Sequence, residues 1–195
     1  MRETQTVEQE RAEDVFFGQL VMNWARWFVI AAAALLVLGT ASDTRDLVIG
    51  IWPVVGLMAL NFYLHGRRLA ERPANPRLIT LASVLDVAVI SVVVATGLGS
   101  EQAGIESTFF VAYYPVVLDF SFVMQPRATL AFTALVLGAY AGASVLGSGA
   151  SMSSTDLESF AARLVTLAAM GGLGTYFWRI QRGRRRVAIA SRSAS

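Results

Sequence analysis

Two carboxylates stand where carboxylates are costly. Asp86 lies inside the apolar run LASVLDVAVISVVVAT and Asp119 inside YYPVVLDFSFV. A charge surrounded by hydrocarbon persists only if it is paired, protonated or reached by water. Arg77 precedes Asp86 by nine residues, and Arg127 follows Asp119 by eight. At a helical rise of about 1.5 Å per residue, both carboxylates lie roughly 12–14 Å in from those arginines. On two consecutive helices running in opposite directions, that is a common depth. Arg26, in the lower part of the first apolar run, is the natural counter-charge, and Asn61 and His65 add polar groups at the inner end of the second. Arg26, Asn61, His65, Asp86 and Asp119 therefore form a candidate intramembrane polar cluster. Three readings are open for it: a buried lock between helices, a proton- or ligand-responsive switch, or part of a transport path.

Other chemistry finds little to use. The 195 residues include no cysteine and one histidine, so disulfides, thiol catalysis and His- or Cys-based metal and haem sites are not expected. There is no HExxH, phosphate loop, dinucleotide fingerprint or credible Ser-His-Asp set. No catalytic residue, metal or cofactor is expected, although a quinone pocket would require less than these motifs. The net charge of +2 is carried on arginine alone, 16 of them, and is weak support for binding nucleic acid, which is not expected.

The elements that must position the cluster are long apolar helices. Hydrophobic residues make up 55% of the chain and charged residues 15%, well under the roughly 25% usual in soluble domains. Apolar runs fall at 15–40 (with its core at 28–39), 47–64, 79–98, 108–124, 129–146 and 160–178. Most are near the roughly 20 residues a helix needs to cross about 30 Å of hydrocarbon. The first run follows the polar segment 1–14 and reads as a retained span, not a cleaved signal.

The loops alternate in charge. One set carries Arg11, then Arg67, Arg68, Arg72 and Arg77, then Arg127, then Arg179, Arg182, Arg184, Arg185 and Arg186. The other carries Asp43, Arg45 and Asp46, then Glu101 and Glu106, then Asp156 and Glu158. Placing the arginine-rich set inside gives an all-α, polytopic membrane protein of six transmembrane helices with both ends in the cytoplasm. Its parts are a cytoplasmic N-terminal segment 1–14, a transmembrane domain 15–178 and a basic tail 179–195. Arg163, near the outer end of the sixth run, is the one exception. Trp24, Trp27, Trp52 and Trp178 lie near the expected interfaces.

Three further features are candidates for function. Phe110, Tyr113, Tyr114 and Pro115 make the start of the fourth run aromatic and kinked, as a possible apolar ligand pocket or as a packed bend; Pro53 is a second expected kink. Ala134, Gly138 and Gly142 in the fifth run, with Ala168 and Gly172 in the sixth, are small residues at close-packing spacing, serving either the bundle itself or a homodimer. The tail RIQRGRRR is placed to meet anionic lipid headgroups, and the acidic segment Thr4 to Asp14 could pair with it or with a partner.

The stretch from Asn75 to Tyr140, with the aromatic-proline fourth run, the inner QPR turn and the closing RIQRGRRR, resembles the N-terminal membrane regions of bacterial sensor histidine kinases and related signalling proteins. The resemblance spans roughly Arg11 to Arg186. It implies a bacterial inner-membrane region that senses, dimerises and transmits movement through its last helix. No phospho-acceptor helix, ATP-binding domain or cyclase domain follows Arg186 in this sequence. The expectation is therefore a non-enzymatic sensor-like module acting through a partner. The alternative is a small accessory or assembly subunit of a larger membrane complex. A homodimer or a heterologous membrane protein would be the partner.

Overall fold

The computed structural model describes residues 24, 26–39, 41–69, 76–97, 102–149 and 153–193, without the side chains of 68, 69, 76, 122, 123, 178, 179 and 181–193. The N-terminal segment 1–14, its proposed pairing with the tail, and the side chains of the tail arginines lie outside the described residues.

The described chain is helical throughout. Its helices are α1 (Arg26–Gly39), α2 (Thr44–Leu69), α3 (Pro76–Thr96), α4 (Tyr113–Val123), α5 (Pro126–Ser148) and α6 (Ser154–Ser193). Two short 3-10 turns, Gly104–Glu106 and Thr108–Ala112, precede α4. Four helices (α2, α3, α5 and α6) are long and apolar enough to cross a membrane, while the apolar stretches of α1 and of the α4 segment are shorter.

Local chemistry sets the helix starts. At α2, the Asp46 amide donates to Asp43 Oδ1 at 2.8 Å, and the Ser42 hydroxyl donates to Asp46 Oδ2 at 2.6 Å. At α6, Ser153 and Asp156 make a reciprocal capping box: the Asp156 amide donates to Ser153 Oγ at 3.2 Å, and the Ser153 amide donates to Asp156 Oδ2 at 2.9 Å. These carboxylates also face the positive end of the helix dipole. The acidic residues that marked two outer loops are thus the residues that start the following helices. α5 opens with Pro126 in its first turn, where a missing N–H costs nothing.

The fourth apolar run departs from the expected form. It begins as a 3-10 turn, and Pro115 is the third residue of α4. Pro115 thus lies in the first turn of α4, where the 3-10 turn passes directly into the α-helix. Pro53 does sit inside α2.

Polarity is arranged for a non-aqueous surround. Arg26, Asn61, Ser83, Asp86, Ser107, Asp119, Ser121, Thr129, Thr133 and Ser144 are buried. Phe28, Leu35, Leu81, Leu146, Val165 and Leu173 face outward. Only 17% of the apolar stretch of α6 and 44% of that of α3 are buried inside the protein. A water-soluble bundle would hide such side chains and display the charged ones; these helices do the opposite, as bilayer-facing helices should. Several hydroxyls, including Ser91, Thr133 and Thr175, bond back to carbonyls one turn earlier in their own helix, at 2.7–2.8 Å.

The tightest packing joins α3, α4, α5 and α6. A β-carbon on Gly171 would lie 2.6 Å from Cγ2 of Thr133, and one on Gly174 would overlap the Ser121 side chain. Glycine at these two positions lets α6 approach α5 and α4 closely. At the end of the bundle away from Arg77 and Arg127, Gly104 (φ +64°) packs its backbone against Gly147 and Ser148, and the Ile105 amide donates to Ser148 Oγ at 2.8 Å.

Candidate functional site

The inward stripes of four helices converge on the predicted polar cluster. α1 directs Arg26, Val29, Ile30, Ala33 and Val37 inward; α2 directs Gly50, Val54, Leu57 and Asn61. Both series recur at the helical period, so each forms one face of a helix. Each stripe is apolar until its last member toward the inner side, which is polar: Arg26 on α1 and Asn61 on α2. α3 supplies Ser83 and Asp86 one turn apart, and α4 supplies Val116 and Asp119.

Arg26 Nη2 lies 2.7 Å from Asp86 Oδ2, a buried ion pair joining α1 to α3. The same nitrogen makes a longer contact, 3.5 Å, to Ser83 Oγ. Asp119 is 5% exposed and interacts electrostatically with both Arg26 and Asp86; its Oδ1 is buried with no hydrogen-bond partner. Asn61 is 1% exposed, and both ends of its amide, like Nε of Arg26, are buried without a partner. A cavity of about 10 Å³ is lined by Arg26, Asn61 and Asp86 with Val29, Leu57 and Val116. That is room for about one water molecule. A second, apolar cavity of about 20 Å³ continues outward from shared walls at Val29 and Leu57, past Pro53 and Ile90, to Phe109.

Of the five predicted members, the structure draws Arg26, Asn61, Asp86 and Asp119 together. His65 is half-buried one turn beyond Asn61 and does not line this cavity. Ser83 belongs to the cluster and was not foreseen; its spacing of three from Asp86 was the available signal.

The aromatic segment is a packed bend. Tyr113 is fully buried, its hydroxyl is 2.7 Å from Ser91 Oγ, and its ring meets Tyr140 edge-on at 5.8 Å. Phe110 meets Tyr114 at 5.7 Å, and Tyr140 stacks on Phe160. The rings pack on one another, and neither of the two cavities described is lined by Phe110, Tyr113, Tyr114 or Pro115. The apolar cavity is instead lined by their neighbours Phe109 and Ala112. Arg163, the exception to the loop charges, donates to the Ile105 carbonyl and holds its guanidinium 3.7 Å from the Phe110 ring centroid. It fastens the 3-10 segment to α6, which accounts for an arginine on that side.

The small residues singled out on α5 and α6 face away from the bundle. Ala134, Gly138, Gly142, Ala168 and Gly172 are all exposed, and nothing lies within 4 Å of a β-carbon built on Gly138, Gly142 or Gly172. Packing within the bundle falls to Gly171 and Gly174 instead. Trp27 packs on Phe62 of α2 with ring centroids 4.9 Å apart, whereas Trp24 and Trp52 face outward.

Chemically, the cluster can bind and hold: it joins α1 to α3 by charge, offers unpartnered donors and an acceptor on Asn61 and Arg26, and admits one water. Among the described residues no group of three or more His, Asp or Glu is placed to hold a metal ion. No family model, no curated protein and no solved structure matches the chain.

Proposed function

We propose that the chain is a non-enzymatic sensor-like module of a bacterial inner membrane, which transmits a change within its bundle through α6 to a partner. Six spans with both ends inside complete this reading, with α1 and the α4 segment as the short ones. The observation that carries it is the length of α6. Forty residues run without a break from the outer capping box to Ser193. At about 1.5 Å per residue this is roughly 60 Å, twice the hydrocarbon thickness. A continuous helix of that length moves as a unit, so a displacement at Gly171 or Gly174 reaches the basic inner end.

A homodimer fits this reading, with the exposed small residues of α5 and α6 as the surface where two backbones approach. The outward face of α6 equally fits a different membrane protein, which is the accessory-subunit reading. The basic inner end of α6 would lie against anionic headgroups, each arginine there contributing about 1 kcal/mol.

The chain has no cysteine, so single cysteines report cleanly. Cysteines placed singly at Ala161, Val165, Ala168 and Gly172 should give disulfide-linked homodimers in native membranes, with a periodicity of three to four residues. No homodimer at any position, together with stoichiometric co-purification of other proteins in mild detergent, would replace the sensor reading with the accessory-subunit one.

A further inference from the structure

Charge does not balance in the polar cluster. Arg26 is the one cation, and Asp86 and Asp119 are two acids, all at least nine-tenths buried. Arg26 is committed to Asp86 at 2.7 Å. Asp119 has a buried oxygen with no donor against it. Among the described side chains, the other elements bring it no compensating charge. α2 contributes neutral Asn61, with His65 one turn away along the helix. α5 meets the adjacent Phe120 with a stacked Phe132, ring centroids 4.0 Å apart, and α6 meets the adjacent Ser121 with Gly174.

Two carboxylates and one guanidinium leave one negative charge over. In a buried site such a charge must be neutralised or it destabilises the bundle. A metal cation is poorly served: the cavity is lined mainly by Val29, Ile30, Leu57, Leu60 and Val116 and admits about 10 Å³. A dehydrated cation needs about six oxygens. A proton needs one.

We infer that Arg26, Asp86, Asp119 and Asn61 form a binding site for a single proton, held on Asp119. The proton comes from water and returns to it. With the proton bound, the cluster is neutral and the Arg26–Asp86 pair stays closed. When it leaves, Asp119 competes with Asp86 for Arg26, and the contact between α1 and α3 loosens. That this proton is the input to α6 rests on the sensor reading above; the proton site itself does not.

Infrared difference spectroscopy of the full chain in lipid tests the site directly. A protonated buried carboxyl gives a C=O band above the amide I region that moves to lower frequency in D2O. The expected result is one such band at neutral pH, lost in Asp119→Asn and, by the same charge balance, lost also in Asp86→Asn, where Arg26 is left to pair with an ionised Asp119. Absence of the band in the wild type, or its survival in Asp119→Asn, overturns the assignment. So does an Asp119→Asn chain that fails to fold, because a carboxamide closely mimics a neutral carboxyl. The D2O shift on the wild type decides, without any variant, whether a buried protonated carboxyl is present at all.

Disulfide yield at α6 followed across pH tests the coupling. A yield that changes with pH in the wild type and not in Asp119→Asn supports it. A pH-independent yield beside a present band removes the proton as the signal and leaves the site standing. If α6 never cross-links, the sensor reading falls and the band still decides the proton site.

Discussion

The inner end of the α1–α2–α3–α4 seam and the outer end of the α4–α5–α6 interface are built on opposite principles. At the seam, helices meet through an ion pair, an unpartnered amide and two small cavities. At the outer end, rings interlock, glycine backbones touch, and Arg163 fastens a 3-10 turn to α6. Dispersion and close packing have one good arrangement and lose energy steeply away from it. A buried charge pair with spare groups beside it has alternatives, since a second acid competes for the same base. In the proposed sensor reading, the outer end is the fixed frame and the seam is where the protein changes state.

The largest expected effect comes from breaking the seam asymmetrically. Arg26→Ala leaves two buried acids without a cation, a loss of about 3–5 kcal/mol by analogy with other broken buried pairs. Unfolding of the lipid- or detergent-embedded chain in a denaturant series should show it. The double variant Arg26→Leu with Asp86→Leu should recover much of that stability while abolishing any switching at α6. If the double variant is no better than the single one, the pair is not the main tie between α1 and α3.

Next come the glycines where α6 crosses α5 and α4. Gly171→Val and Gly174→Val each drive a side chain into Thr133 or Ser121, at about 1–3 kcal/mol each. Gly138→Val and Gly142→Val, on the outer face, should leave unfolding within about 0.5 kcal/mol of wild type. Those outer substitutions should instead lower α6 disulfide yield if the face meets a second copy. Equal destabilisation by Gly171→Val and Gly142→Val would refute the division into inner and outer glycines.

A smaller effect is expected at the strap. Arg163→Gln loses a hydrogen bond to Ile105 and a cation–ring contact, about 1–2 kcal/mol together, with increased protease sensitivity near 102–112 as its sign. Smallest is Tyr140→Phe. It deletes a buried hydroxyl that has no partner, and its ring contacts remain. Stability should hold or rise slightly, because an unsatisfied buried polar group is removed. A clear loss would mean that the hydroxyl is bonded after all and that the frame has its own polar network.

Much of the architecture was open to reading from residues alone. The apolar runs at 47–64 and 129–146 lie inside α2 and α5, and the paired depth of Asp86 and Asp119 follows from helical rise and the flanking arginines. Hydrocarbon length and the cost of buried charge act on each helix separately, so one helix's sequence suffices to reveal them. Arg26 as the counter-charge was also legible, because few cations lie within the apolar runs and few depths match. The extent of α6 was legible only in part: a continuation of some turns past the apolar run, which closes near Trp178, was open to the sequence, but its length, to Ser193, was not. Helix continuation through a polar segment depends on backbone hydrogen bonding and not on hydropathy.

What the tertiary structure alone decided is which face of each helix points inward. α6 carries two small faces a residue or two apart, Ala168 with Gly172 and Gly171 with Gly174, and periodicity supports both equally. Only the positions of Thr133 and Ser121 on the neighbouring helices make the second pair the inner one. Likewise, aromatic residues around Pro115 could line a void or fill it, and the choice lies with Tyr140 and Phe160 on other helices. The sequence by itself determined that these segments are apolar helices and that two acids must share a protected depth, because those properties belong to single helices. Rotation about the helix axis belongs to pairs of helices, and one helix's pattern cannot encode it when both its faces are nearly as small and as apolar.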